Sequence, residues 1–261
     1  MKALFTLRNK LFFYRMKYTF MHFFSFIFIS TIISINSFRD INLPDLNTIY
    51  IIYCALKLPI FRLLFALLKE EKQSGYKALY FKQNGLSTST CIKYYLSWFA
   101  ILHTGILLSA FHYTPLVSFS YLYALLMYFL YHLSKVSQIM FFSLVFNDSM
   151  FCLLFTMFGS IIAPICYAFK CSYWAMIIIN IVYPESAMYY MIGSSGYYYY
   201  RYFTINPRFA DFSTSGFIVL SVSTVIHFIL VVVIDYYSLR KTFRRFKLTN
   251  EADTLHSINK N

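Results

Sequence analysis

A chain of 261 residues that is 59% hydrophobic and 13% charged, with 30 Phe and 25 Tyr, holds more apolar surface than a soluble core of that length can enclose. Its apolar residues come in blocks of about twenty, the length that crosses roughly 30 Å of hydrocarbon, so an ordinary soluble domain is excluded and an all-α integral membrane protein is predicted. The formal net charge of +13 does not point to nucleic acid, because Lys and Arg sit in short flanks beside the apolar blocks, where they orient spans and meet anionic lipid.

In chain order, a basic segment (1–17) carries Lys2, Arg8, Lys10, Arg15 and Lys17. The first span, Tyr18–Ile35, lacks a small-residue cleavage signature and reads as a retained signal anchor. The loop Asn36–Asp45 is too short for an outer domain. The second span, Leu46–Leu68, contains Lys57 and Arg62 on either side of Pro59. A charge at mid-membrane is costly and normally faces protein, water or a headgroup. Lys57 and Arg62 are therefore candidates for a substrate path that accepts an anionic headgroup. The alternative is that a kinked span lets them snorkel toward opposite interfaces.

The segment 69–92 interrupts the apolar pattern with a run of charge and amide. Spaced as on a helix, Tyr76, Leu79, Tyr80 and Gln83 share a side, and Gly85 is a natural stop. Ser87, Thr88 or Ser89 can cap the helix that follows. Such an aromatic amphipathic helix suits a groove on a soluble partner, or it lies in the headgroup layer.

Further spans are predicted at Lys93–Phe111, Leu116–Met140, Met150–Ala168 and Ser215–Tyr236. Asp148 reads as an N-cap at the turn before the fifth span, and Asp235 is expected to pair with the basic tail. With both termini cytoplasmic the number of crossings is even. Apart from Lys57 and Arg62, the only basic residues then left outside are Arg39, Lys170, Arg201 and Arg208. Tyr173–Met191 is accordingly predicted as a re-entrant or surface hairpin within an outer segment 170–205, broken near Pro184-Glu185 and at Gly193–Gly196. The tail, 238–261, is basic, and beyond Lys247 it reads as unstructured.

Chemistry-bearing motifs are few. His103, His132 and His227 fall singly in different spans and favour hydrogen bonds to a neighbouring helix over metal. The five cysteines show no ligand spacing. Cys166 and Cys171 are near enough in sequence to pair, but a role as small apolar residues is favoured. No HExxH, GxSxG or GxxxxGK[ST] segment occurs, so the chain is not expected to be an enzyme or to hydrolyse ATP itself.

Three elements in order carry a resemblance: Lys69-Glu70-Glu71-Lys72, Asn84-Gly85-Leu86-Ser87 and Tyr95-Leu96-Ser97-Trp98-Phe99. Together with Phe142–Met150, Asn180–Ala187 and Val231–Tyr237, they resemble the membrane domain of A-subfamily ABC transporters, the lipid exporters. The resemblance implies a six-transmembrane-helix bundle of ABC exporter type (18–237), with a re-entrant outer helical hairpin before the last span. It implies that Glu70, Glu71, Lys72, Tyr76, Lys77, Tyr80 and Phe81 couple to a partner nucleotide-binding subunit holding ATP and Mg. It also implies a second transmembrane half as partner and a lipid substrate. The family's large domain between the first two spans and its nucleotide-binding domain have no counterpart here. That leaves a non-transporting membrane scaffold or a degenerate transporter fragment as the alternative.

Overall fold

A computed structural model describes residues 6–8, 10–11, 14–15, 61–101, 121–169, 171–193 and 208–258. Lys57, His103, Cys54, the first span and most of the second and third lie outside the described residues. Among the described residues the backbone is mostly helical and contains no strand.

Helix α1 (described over 61–73) ends at Gly75, whose φ of 74° starts α2, Tyr76–Asn84. Gly85, also at φ 74°, stops α2. Both glycines sit in the left-handed region that a Cβ disfavours. The Ser87 hydroxyl accepts from Thr90 N and so caps α3, Thr88–Leu96, which tightens into a 3-10 turn at Ser97–Ile101. Then come α4, Tyr121–Val145, and α5, Ser149–Ala168. Between them the Asp148 carboxylate accepts from Met150 N at 2.9 Å, the predicted cap. Helix α4 runs five residues past the expected end at Met140 because Phe141, Phe142, Leu144 and Val145 continue its apolar pattern without a breaker.

The stretch 173–193 is two short helices, α6 at Tyr173–Val182 and α7 at Pro184–Gly193, which pack on each other about a break at Tyr183. Pro184 stands at the first position of α7, where its missing N–H costs nothing. The last helix, α8, spans Arg208–Ile258 without interruption. The expectation of an unstructured tail is thereby corrected. No Gly or Pro follows Gly216 before position 258, and extending an existing helix carries no nucleation cost. Within α8, Ser215–Phe243 is the one stretch among the described residues long and apolar enough to cross a membrane.

Contacts fix the helix directions. Phe61 of α1 meets Tyr131 and His132 of α4, while Lys69 reaches Asn147 just beyond it, so α1 and α4 run parallel. Ser134 bonds Ser223 and Phe141 meets His227, so α8 runs parallel to α4. Phe142 with Phe155 and Phe146 with Phe151 make α5 antiparallel to α4. The α6–α7 hairpin folds back on itself between α5 and α8. Its tip meets Gly159, where a Cβ would lie 2.7 Å from the Tyr183 ring.

Candidate functional site

Two buried polar clusters stand out, one at each end of the contact between α8 and the rest. The first is a neck formed by the N-terminal helical residues, α1, α2, α3 and α8. Arg8, 1% exposed, points inward. Its guanidinium makes a two-pronged bond to Glu71, Nε to Oε1 at 2.9 Å and Nη2 to Oε2 at 2.7 Å. Its third nitrogen donates to the Tyr94 carbonyl at 2.7 Å and to the Ser97 hydroxyl. The plane stacks over the Tyr94 and Trp98 rings, 4.4 and 4.1 Å from their centroids. Fork geometry and ring stacking are properties of Arg that Lys does not share. The Tyr94 hydroxyl donates to Glu71 Oε2, so one carboxylate is held from two elements.

Beside it, Lys77 of α2 bonds Asp235 of α8 at 2.5 Å and donates to the Tyr95 hydroxyl at 3.0 Å. Asp235 therefore pairs with Lys77 across 158 residues of sequence. Arg240 and Lys241, the described cations of the basic tail expected as its partner, are exposed, whereas Lys77 is packed against Asp235. Burial holds the Lys77 ammonium below its ordinary value, against the opposite pull of Asp235. Burial likewise pushes the Cys91 thiol up to about 11. Phe81, 1% exposed, closes the cluster against Tyr80 and Tyr94.

The second cluster lies at the tip of the hairpin. Lys135 of α4 and Glu185 of α7 form an ion pair with both side chains at 0% exposure. Lys135 also donates to Gln138 Oε1 at 2.5 Å, and Gln138 Nε2 donates to the Val182 carbonyl at 2.7 Å. From α8, the Ser223 hydroxyl donates to the Ile181 carbonyl at 2.7 Å. Those two carbonyls belong to the last turn of α6, where the helix itself supplies no donor. Ser134 and His227 complete the network through Ser223. Lys135 is thus a buried partner of the hairpin.

Comparison with protein-family models, curated proteins and solved structures finds no match to this chain. The roles of the two clusters rest on their geometry.

The seven residues expected to meet a partner divide by exposure. Glu70 and Lys72 are exposed, with Glu70 bonded to Arg15 at 2.7 Å, and Tyr76 and Tyr80 are half-buried. Glu71, Lys77 and Phe81 are turned into the chain, so they can act on a partner only through the others. Arg62 is exposed on α1 and stands apart from both clusters. Cys166 and Cys171 form no disulfide with each other. His132 stacks against Phe61 and Tyr131, and His227 bonds its own helix at Ser223 O, 2.8 Å away. Among the described residues, no three His, Cys, Asp or Glu side chains gather as a metal site. Sequence reading did not single out Arg8, Tyr94, Gln138 or Ser223.

Proposed function

We propose that the chain is the membrane-spanning half of an ABC-type exporter, moving lipid or a similar amphipath, with ATP hydrolysed on a separate nucleotide-binding chain. The observation that carries this reading is the neck. The polar segment between the second and third spans is bonded to two other parts of the chain: Glu71 holds Arg8 of the N-terminal segment, and Lys77 holds Asp235 of the last helix. A push on its outer side, at Glu70, Lys72, Leu79, Tyr80 and Lys82, would move α8 and the N-terminal segment together.

The helix directions agree with six crossings. Helices α1, α4 and α8 run one way, as spans two, four and six must, and α5 runs the other. A single crossing at 173–191 would have turned α8 against α4. The tip at Tyr183–Glu185 meets Lys135 and Gly159, each ten residues from the α4–α5 turn, or about 15 Å of helix rise. That is half of a hydrocarbon core of roughly 30 Å, the depth of a re-entrant hairpin whose polar tip is covered by protein.

The test is isolation of the tagged full-length chain from its own membranes. A nucleotide-binding chain should co-isolate, and its recovery should fall about tenfold when the exposed residues are changed by Leu79→Asp and Lys82→Glu. Phe81 is unsuitable for this purpose because a charge there would enter the core. If no nucleotide-binding chain is recovered, or the variants recover it equally well, coupling fails and the scaffold reading takes its place.

A further inference from the structure

Leu7 and Tyr14 belong to the N-terminal helical residues and are 53% and 63% exposed, although both are apolar and large. They lie seven residues apart, so they share one face of a helix, with exposed Lys10 on the same side. The neighbouring face is committed: Arg8 enters the neck and Arg15 bonds Glu70, with Leu11 between the two faces packing against the core. Two apolar side chains and a cation, with no acid among the described residues of that face, are the mixture a helix shows to a bilayer surface.

The depth at which the neck holds this face agrees. The exposed apolar run of α8 extends from Ile218 to Tyr237 and gives way to exposed Arg240 and Lys241. Asp235 sits at that boundary and bonds Lys77, which bonds Tyr95. Tyr95 packs edge-on against Tyr94 at 5.1 Å, and Arg8 stacks on Tyr94. Arg8 is therefore linked through two rings and Lys77 to the residue beside which the hydrocarbon-suited surface ends. Lys10, Lys72, Lys82, Lys93, Arg240 and Lys241 are all exposed at this end of the bundle. Among the described residues, the one exposed acid bonded to the N-terminal helical residues, Glu70, is already paired with Arg15.

We infer that the N-terminal segment is an interfacial anchor, clamped to the bundle by Arg8, which seats Leu7 and Tyr14 in the headgroup layer of an anionic lipid surface with Lys10 on its phosphates. It rests on the membrane placement proposed above and is independent of transport.

The full-length chain, reconstituted in nanodiscs of phosphatidylcholine or of an equal mixture with phosphatidylserine, is labelled with a fluorophore at Leu7→Cys or Tyr14→Cys. Lipids carrying a nitroxide near the headgroup should quench both probes. Quenching should be stronger in the anionic discs, and Lys10→Glu should weaken the anionic preference about fivefold per unit of charge lost. A probe at Ile229→Cys, on the exposed apolar face of α8, should be quenched from deep in the acyl region. If that control is not quenched, the membrane placement is wrong and the anchor falls with it. If the control behaves and the probes at 7 and 14 are unquenched, the face meets water or protein and the anchor alone is refuted. Equal quenching in both lipids, or quenching that appears only when two copies cross-link through this face, would also overturn it.

Discussion

The ion pair at the hairpin tip makes the sharpest demand on stability. Lys135 and Glu185 are both at 0% exposure, so removing one partner leaves the other charge buried without its counter-ion, at a cost of about 3–5 kcal/mol. Glu185→Gln should sit at the lower end of that range, because the ammonium keeps its bond to Gln138 at 2.5 Å. Lys135→Met should sit at the upper end. Replacing both with Met removes two desolvated charges at once and should return stability to within about 1 kcal/mol of the original chain, or above it. In a cycle closed with Glu185→Met, single costs of at least about 3 kcal/mol each against about 1 kcal/mol for the double predict a coupling of about 5 kcal/mol or more, far outside the usual error of additivity. The assay can use the protein's own thiols. Cys91 and Cys166 are buried, so a thiol-reactive dye added during a thermal ramp in detergent reports global opening. Single variants should lower the midpoint by roughly 10 °C. Singles that unfold within a degree of the original chain, or a double variant as damaged as the sum of its parts, would refute the placement of this pair.

Two other outcomes follow from local geometry. A Cβ at Gly159 meets the Tyr183 ring at 2.7 Å, whereas at Gly216 it meets the Met191 side chain at 2.7 Å. Gly159→Ala should cost about 1–3 kcal/mol and Gly216→Ala less, since a thioether chain re-routes more easily than a ring wedged at a helix break; the same dye ramp ranks them, and a reversed order would refute the argument. For Cys91, the folded value of about 11 exceeds the ordinary 9.0. Burial thus favours the neutral thiol, and the stability it contributes is present below pH 9 and lost as pH rises toward 11. Alkylation of Cys91 in the folded chain at pH 8 should run about a hundredfold slower than in the unfolded chain, and equal rates would show that the thiol is not held this way.

What could be read from the sequence was mostly what is decided by neighbours along the chain. Gly85 stops a helix, Ser87 and Asp148 cap the next ones, and Pro184 restarts the chain after a break, each by chemistry confined to a few residues. The partners in the two clusters were hidden for the opposite reason. Arg8 meets Glu71 across 63 residues and Lys77 meets Asp235 across 158, and a lone charge in a sequence does not name its counter-ion. Asp235 was assigned to the nearest cations along the chain, and the packing of α2 against α8 gave it a different one. The tail beyond Lys247 is polar, which suggests a loop, but it holds no Gly or Pro up to position 258 and the helix continues through it.

The hairpin's hydrogen bonds have a mechanical consequence. Gln138 of α4 and Ser223 of α8 grip adjacent carbonyls of the same turn, and Ser134 ties Ser223 back to α4. Three elements are thereby stitched at one point, so α4 cannot slide along α8 without breaking these bonds. Helices α4, α8 and the hairpin form a single stiff block. A displacement of α8 at the neck, where Asp235 bonds Lys77, would therefore carry α4 and the hairpin with it.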